Sequence, residues 1–514
     1  MNVEMVGVLM STTEGAQSVT AQLPVAVIGA GPVGLAAAAH LTERGLPVVV
    51  LEAGGDVGAA VRDWGHIRTF TPWQYIVDAT AEKLLAPTGW TRPETKVPPT
   101  GKQLAEQYLE PLAAVLGDSV RLGQRVTAVS RDGLDKSRTV GRADRPFLLR
   151  VTCTDGRTTE LRARAVIDAS GTWWQRNPLG SSGLPALGEA EAAPFLVGPL
   201  PDVLGADRAR FAGRRTLVVG AGHSAANTLL NLGRLAKLAP GTEVVWAIRG
   251  ATPTKVYGGE SADELAERGQ LGSDLHALVD SGVVELVTNF STTSLEVDGD
   301  TVSVVGATSS GERRLSGIHN VAAATGFRPD LAMLSELQLD LDPSLDAPRV
   351  LGPLVHGDFH SCGTVAPHGH RELAHPEPGM FIVGMKSYGR APTFLITTGN
   401  EQVRSVAAAL AGDLAAADEV QLVLPETGVC SVNDQGEDMG GGCCGAPTPV
   451  SAATVPEQAH RELPDGVAAQ GFGTGVASGG RLGALALLEV DVEVDVDDGT
   501  AGRCELDSAS GCCS

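Results

Sequence analysis

Residues 23–52 read LPVAVIGAGPVGLAAAAHLTERGLPVVVLE. The apolar run Val25–Ile28 predicts a buried strand, three glycines follow it, and an alanine-rich segment predicts a helix. A second apolar run, Val48–Leu51, ends on Glu52. A glycine triplet alone would indicate only a turn, but a strand, turn, helix, strand and acid in this order form the fingerprint of a dinucleotide-binding βαβ unit.

Each residue type in this fingerprint has a physical role. Gly29 permits a tight turn, Gly31 lets the backbone approach a diphosphate, and Gly34 lets the helix pack close to the strand. The phosphates are expected to lie on the unpaired N–H groups at the positive end of the helix. Glu52 is placed to accept hydrogen bonds from a ribose diol.

Residues 216–236, TLVVGAGHSAANTLLNLGRLA, repeat the pattern. Gly220, Gly222 and Ala225 have the spacing of the first fingerprint, and the closing strand EVVWAIR (243–249) ends on Arg249 instead of an acid. A cation at this position suits a 2′-phosphate, so we expect the second site to prefer NADPH to NADH. The alternative is that Arg249 is a solvated charge at the end of a strand.

Two dinucleotide units in one chain predict two nucleotides brought face to face, one passing hydride to the other. The expected fold class is therefore α/β, with two Rossmann-like domains. A strand running into Thr325-Gly326 predicts a return of the chain to the first domain.

Composition excludes several other classes of protein. The chain has 514 residues and a formal charge of −22, which argues against a nucleic-acid or anionic-membrane surface. Residues 415–514 contain 17 acidic and 3 basic residues, so most of this charge belongs to a tail. No apolar run is long enough for a membrane helix and no secretion signal opens the chain, so we expect a cytoplasmic protein.

Secondary-structure patterns fill the remainder of the body. We expect a helix over 101–117, a polar hairpin connector over 132–145, and strands over 148–153 and 161–167. Cys153, at the end of one of these strands, is interpreted as a packed core thiol. A further helix over 261–280 and short strands over 283–286, 294–297 and 301–305 are expected to complete a second sheet.

The loop after Glu52 is rich in aromatic residues in a chain that has few. Trp64, Arg68 and Phe70 lie within it. One interpretation is a loop that packs on a neighbouring core; the other is an aromatic and cationic wall beside a bound cofactor.

The two fingerprints, the Thr325-Gly326 turn and the segment PGMFIVGMKSYGRAPTFLITTGNEQVRSVAAALAGD (378–413) resemble FAD-dependent pyridine-nucleotide oxidoreductases of the flavin-containing monooxygenase and thioredoxin-reductase superfamily. More closely, residues 21–430 resemble actinobacterial flavoproteins of arsenic-resistance clusters.

The resemblance implies three-layer ββα domains, with FAD at the first fingerprint and NADPH at the second. It places an FAD-binding domain at 21–190 and 321–430, an inserted NAD(P)H-binding domain at 191–320, a disordered N-terminus at 1–20 and a disordered, cysteine-containing acidic tail at 431–514. It also allows a homodimer. The implied cofactor-binding residues are Gly29, Gly31, Pro32, Gly34, Glu52, Trp64, Arg68, Phe70, Gly220, Gly222, His223, Ser224, Ala225, Arg249, Thr325, Gly326, Gly384, Thr398 and Gln402.

The chain departs from the family at three points. No histidine follows Phe211 and Gly213 before His223, unlike in the monooxygenase signature, and residues 191–320 contain no cysteine pair of the thioredoxin-reductase type. Met385 follows Gly384 where the family often has an acid. Flavin reduction is therefore better supported than any particular oxidising step.

Cysteines supply the remaining candidates. Cys362 lies in a histidine-rich segment, either as a thiol in a polar loop or as a low-pKa nucleophile. In the tail, the pairs Cys443-Cys444 and Cys512-Cys513 either have no function or bind a soft metalloid.

We expect NADPH to reduce FAD, which then uses oxygen to oxygenate a small soft-heteroatom or carbonyl substrate. The alternative within the same class is reduction of a thiol-bound metalloid or disulfide through the tail cysteines. A hypothesis from another class is a non-catalytic metalloid-binding protein.

Overall fold

The computed structural model describes residues 22–258, 266–356, 365–392 and 394–422. Within these ranges, two parallel sheets each carry helices on one face and an antiparallel sheet on the other. The expected α/β class with two Rossmann-like ββα units is confirmed. The predicted tail over 431–514 and the predicted N-terminal segment lie outside the described residues.

The strands of the described part are β1 (Val25–Ile28), β2 (Val48–Leu51), β3 (Val120–Arg121), β4 (Gln124–Arg131), β5 (Phe147–Cys153), β6 (Thr158–Ala163), β7 (Ala165–Asp168), β8 (Leu196–Val197), β9 (Arg215–Val219), β10 (Glu243–Ala247), β11 (Val284–Val287), β12 (Ser291–Asp298), β13 (Thr301–Thr308), β14 (Gly311–Ile318), β15 (Asn320–Ala323) and β16 (Met380–Ile382).

The α-helices of the same ranges are α1 (Pro32–Glu43), α2 (Ala59–Asp63), α3 (Trp73–Ile76), α4 (Ala79–Leu85), α5 (Gly101–Leu104), α6 (Glu110–Leu116), α7 (Arg208–Phe211), α8 (His223–Leu238), α9 (Thr254–Tyr257), α10 (Ala266–Asp280), α11 (Gly352–Val355), α12 (Ile396–Leu410) and α13 (Leu414–Asp418). The helix predicted over 101–117 is present, but its middle, Ala105–Leu109, is a π-helical segment.

The first parallel sheet has the strand order β16-β7-β1-β2-β3. Ile28 lies beside Leu51 on one side and Asp168 on the other, so the carboxyl ends of the three central strands form one edge. In open parallel sheets, ligands bind outside this edge, where the chain crosses over in opposite directions from adjacent strands.

The second parallel sheet has the order β11-β10-β9-β15-β8 and derives from residues 196–323. Its sequence is inserted between β7 and β16, two adjacent strands of the first sheet. The strand predicted over 283–286 is β11; it extends this parallel sheet, whereas β12, β13 and β14 form the antiparallel layer.

Alternating side chains on the buried strands serve two cores. Val25 and Val27 pack in the core shared with α1 and α12, whereas Ala26 and Ile28 pack against β4 and β5. A strand buried on both faces reads as a continuous apolar run because both sets of side chains are covered.

The prediction of one continuous strand over 161–167 was wrong, because this stretch contains parts of two strands. Its first part, β6, pairs antiparallel with β5, and its second part, β7, pairs parallel with β1. Arg164 lies between them, and its backbone N–H donates to the Pro24 carbonyl. At this residue the chain passes from the antiparallel sheet to the parallel sheet. Cys153, expected in the core, is only half-buried and lies beside the Gln124 amide.

A buried charge network ties the antiparallel layer to the segment that leads into β16. The fully buried carboxylate of Glu377 accepts hydrogen bonds from Nε of Arg131 and Nε of Arg142, each at 2.7 Å, and from the N–H of Gln338. Burial raises the pKa of Glu377, but the Gln338 N–H and the two guanidinium groups outweigh it, so the net pKa is lowered. The connector over 132–145 thus contains a buried cation, Arg142, which its polarity did not predict.

We expect Glu377→Gln to lower the free energy of unfolding by about 3–5 kcal/mol, because it leaves two buried guanidinium groups without a counter-charge. Glu296→Gln is the matched control, since Glu296 pairs with Arg314 on the surface, where ion pairs contribute little. Denaturant unfolding of both variants measures the difference; equal stabilities would contradict a structural role for the network.

Candidate dinucleotide sites

The first glycine turn has the shape that a bound diphosphate requires. Gly29 has φ 99°, and a Cβ there would lie 2.8 Å from the carbonyl oxygen of Ala169. A Cβ on Gly34 would lie 2.0 Å from the Gly29 carbonyl oxygen, so helix α1 packs directly on the turn. Nothing lies within 4 Å of the Cβ position of Gly31, the N-cap residue, and no side chain caps the helix. The free N–H groups of α1 therefore fit a phosphate.

Glu52 lies at the end of β2, beside the turn. Its carboxylate accepts hydrogen bonds from the N–H of Ala30 at 2.7 Å and of Gly54 at 2.8 Å. A carboxylate has about four lone-pair positions, so these contacts orient the group and leave acceptor capacity for a ribose diol.

The second glycine turn repeats this geometry. Gly220 has φ 133°, and a Cβ there would lie 2.1 Å from the carbonyl oxygen of Ala324. The Cβ position of Gly222 is open, and α8 begins at His223 without a side-chain cap. Ala225 is fully buried beneath the first turn, and Ser224 stands beside it. Arg249 is exposed, two residues beyond the end of β10.

The aromatic loop does not form a single wall. Trp64 packs over Gly101, where an added Cβ would lie 2.7 Å from its ring, and Arg68 donates to the carbonyl of Pro98. Phe70 instead reaches the second unit, where its ring packs edge-on against His223 with centroids 5.0 Å apart. Backbone hydrogen bonds from Thr69 and Gly101 hold the loop in this course and separate the three side chains.

The turn at Thr325-Gly326 joins the two connecting segments between the parallel sheets. The Thr325 hydroxyl donates to the carbonyl of Asn177 at 2.7 Å, and the Asn177 amide donates to the Thr325 carbonyl at 3.1 Å. The Asn177 N–H donates to the carbonyl of Gly326. These hydrogen bonds therefore tie the segment after β7 to the segment after β15.

The closing segment builds a buried network around Gly384, which has φ 68°. Gln402 is fully buried; its Oε1 accepts the Gly384 N–H at 2.7 Å, and its Nε2 donates to Ser387 and to Nε2 of His368, both at 2.9 Å. Gln402, which was expected to contact the cofactor, thus points into the protein interior and fixes the Gly384 backbone. Thr398 is also buried, in the first turn of α12, which has no side-chain cap.

Lys386 and Asp168 are candidate site residues that sequence reasoning missed. The Lys386 Nζ donates to Asp168 Oδ2 at 2.6 Å and to Ser170 Oγ at 3.1 Å, and neither member of the pair is more than 1% exposed. The sequence did contain one signal of this ion pair, a lysine in the apolar run after β16, because a buried ammonium group requires a partner.

A cavity of 560 Å³ lies between the two units, beyond the carboxyl end of β8. The cavity is lined by residues of α2 and the loop after it, by residues of the segment between β7 and β8, and by residues of the second unit. Its polar lining includes Arg62, Asp63, His66, Trp173, Arg176 and Arg210. Asp63 accepts the Trp173 indole N–H at 2.7 Å, whereas the Arg176 guanidinium makes no ion pair within the described residues. The cavity can therefore accept a small polar molecule.

The cysteine candidates are not tested by the structure. Cys362 and the pairs Cys443-Cys444 and Cys512-Cys513 lie outside the described residues. In the described ranges, no group of three or more histidine, cysteine, aspartate or glutamate residues could hold a metal ion. Within the same ranges, no helix is long and apolar enough to cross a membrane.

Comparison with known proteins supports the fold. A family model described as pyridine nucleotide-disulphide oxidoreductase matches residues 26–187. No curated protein sequence matches the chain.

Solved structures extend the likeness over both units. Bacillithiol disulfide reductase from Bacillus cereus has 19% identity and a TM-score of 0.55, covering 76% of this chain and 99% of its own. The cadaverine monooxygenase DfoA from Erwinia amylovora has 16% identity and a TM-score of 0.53, covering 81% and 99%. The ornithine N-hydroxylase of Kutzneria sp. 744 has 16% identity and a TM-score of 0.51, covering 77% and 98%. The chain therefore has the fold of flavin-dependent oxidoreductases that act as reductases in some cases and monooxygenases in others.

The network around Gly384 should make the protein sensitive to acid. Nδ1 of His368 donates to the carbonyl of Ala366, so Nε2 must be unprotonated to accept from Gln402. Burial lowers the pKa of His368 below its ordinary value. The unfolded chain therefore takes up a proton first as the pH falls through about 6.5, and folding stability declines below that pH.

We expect His368→Gln to reduce this acid sensitivity, because a glutamine oxygen accepts the Gln402 N–H at any pH. Thermal melting of both proteins between about pH 8 and pH 5 measures the effect. Burial also lowers the pKa of His375, so part of the dependence should persist in the variant. An unchanged pH profile would contradict the role given to His368.

Proposed function

We propose that the chain is an FAD-dependent oxidoreductase that takes its electrons from NADPH. The observation that carries the proposal is the pair of uncapped glycine turns, each at the carboxyl edge of its own parallel sheet. The Thr325–Asn177 hydrogen bonds tie together the two segments that connect these sheets. When bound, FAD accepts a hydride from NADPH and passes electrons to an acceptor. The chain's own residues bind, orient and shield these two groups.

FAD is assigned to the first turn. The α1 N–H groups around Gly31 would hold the diphosphate, and Glu52 would accept the ribose hydroxyls. Helix α12 packs against α1, and its uncapped N-terminus offers partial positive charge to an electron-rich flavin edge.

NADPH is assigned to the second turn. The α8 N–H groups beyond Gly222 would hold its diphosphate, and Arg249 would pair with the 2′-phosphate. The Phe70 ring beside His223 covers the start of α8 from the side of the first unit.

The cavity at Trp173 and Arg176 is the proposed substrate site, since residues of both units line it. We assign the monooxygenase branch to the reaction, with a small soft-heteroatom or carbonyl compound as substrate. Support comes from the fold shared with a cadaverine monooxygenase and an ornithine N-hydroxylase. A link to arsenic or another metalloid remains part of this proposal.

A reductase is the second candidate function, favoured by the match of residues 26–187 to a disulphide oxidoreductase family. It would need a thiol near the flavin. Cys153 is the cysteine of the described part, and it lies in the antiparallel layer on β5. This branch therefore depends on Cys362 or on the tail pairs.

Arg249→Ala should raise the KM for NADPH about tenfold or more and leave that for NADH unchanged, because a charge-assisted hydrogen bond contributes about 1.5–3 kcal/mol. Arg234→Ala is the control, since Arg234 is an exposed arginine on α8. Flavin reduction followed by absorbance under anaerobic conditions gives both constants. If the preference for NADPH over NADH is unchanged, Arg249 is instead a solvated charge at the end of a strand.

The monooxygenase branch predicts NADPH oxidation that requires both oxygen and substrate, with label from isotopic oxygen appearing in the product. A panel of sulfur, selenium, arsenic and carbonyl compounds identifies the substrate class. Serine replacement of Cys443, Cys444, Cys512 and Cys513 should leave this activity intact. Anaerobic turnover that disappears in the serine variant would instead establish the reductase branch, and a purified protein that takes up no flavin under any loading condition would exclude both.

A further inference from the structure

The ion pair between Lys386 and Asp168 lies beside the first glycine turn. Asp168 ends β7, and the next two residues border the turn: the Ala169 carbonyl oxygen lies 2.8 Å and the Ser170 Cα 3.1 Å from the Cβ position of Gly29. On the other side, the Cβ position of Gly384, two residues before Lys386, lies 3.3 Å from Val33 in the first turn of α1.

Asp168 has a structural task in this turn. Its Oδ1 accepts the N–H of Ser170 at 3.1 Å and the Ser170 hydroxyl at 2.6 Å, which fixes the chain where it borders Gly29. The same carboxylate is fully buried, so water does not screen its charge. A fixed negative charge at this position opposes the binding of a diphosphate to the adjacent turn.

Lys386 supplies the opposite charge. Its Nζ donates to the second carboxylate oxygen, Oδ2, at 2.6 Å and to the Ser170 hydroxyl oxygen at 3.1 Å. The ammonium group therefore neutralises Asp168, while Oδ1 keeps its hydrogen bonds from Ser170. The residue between Gly384 and Lys386 is Met385, so this segment contributes a cation and no anion.

We propose that Lys386 is a positioning residue for FAD: it cancels the charge of Asp168 and thereby makes the first glycine turn electrostatically compatible with a dinucleotide. The inference rests on the proposed FAD site. The two residues then have different functions: Asp168 shapes the turn, and Lys386 cancels the negative charge that Asp168 places beside it.

Three variants of the full chain, Lys386→Met, Asp168→Asn and the double variant, test the proposal by titration of the apoprotein with FAD. Lys386→Met should raise the Kd for FAD at least tenfold, because it leaves a buried carboxylate beside the diphosphate. Asp168→Asn keeps an Oδ1 acceptor for Ser170 and removes the charge, so adding it to Lys386→Met should restore most of the lost affinity. Thermal melting of each apoprotein reports any general loss of folding separately.

Lys386→Arg keeps the charge and is the conservative control, expected to bind FAD much more tightly than Lys386→Met. The proposal is overturned if the double variant binds FAD as weakly as Lys386→Met, or if Lys386→Met binds as tightly as the unaltered protein. Should Lys386→Met fail to fold, the comparison of the double variant, which has neither buried charge, with Lys386→Arg decides, since a tenfold loss of affinity in either contradicts the charge argument. Failure of the unaltered protein to bind FAD would refute the proposed function instead.

Discussion

Contact between main-chain atoms at two strand-to-helix turns is the constraint on which the rest of the structure depends. At Gly34 an added Cβ would meet the Gly29 carbonyl at 2.0 Å, and at Gly220 it would meet the Ala324 carbonyl at 2.1 Å. Any side chain at either position would push a helix or a neighbouring connector away from its sheet. The open spaces at Gly31 and Gly222 exist because these contacts hold the surrounding backbone in place.

The sequence predicted the elements whose determinants are local. Both βαβ units were identified from apolar periodicity and glycine spacing, and the hairpin connector between β4 and β5 from its polarity; the structure contains all three. The junction at Arg164 was missed because the apolar alternation continues across it, although the partner strands change. Periodicity reports burial; it does not report which sheet buries a strand.

Long-range charge pairs were beyond the reach of local patterns. Glu377 and Arg131 are separated by 246 residues, and Lys386 and Asp168 by 218. Each residue alone looks like an ordinary surface charge, and only the fold reveals that it is buried with a partner. Gln402 shows the same limit, since the family resemblance placed it among the cofactor-binding residues but could not show that its amide faces Gly384.

The edge-on contact of Phe70 with His223 links two segments that belong to different parallel sheets. Phe70 also packs against the core of the second unit, so a change in the ring at either position alters the fit at the other. Positions 70 and 223 should therefore vary together during evolution. The pair of residue types found at these two positions in related sequences would therefore indicate how the two units pack against one another.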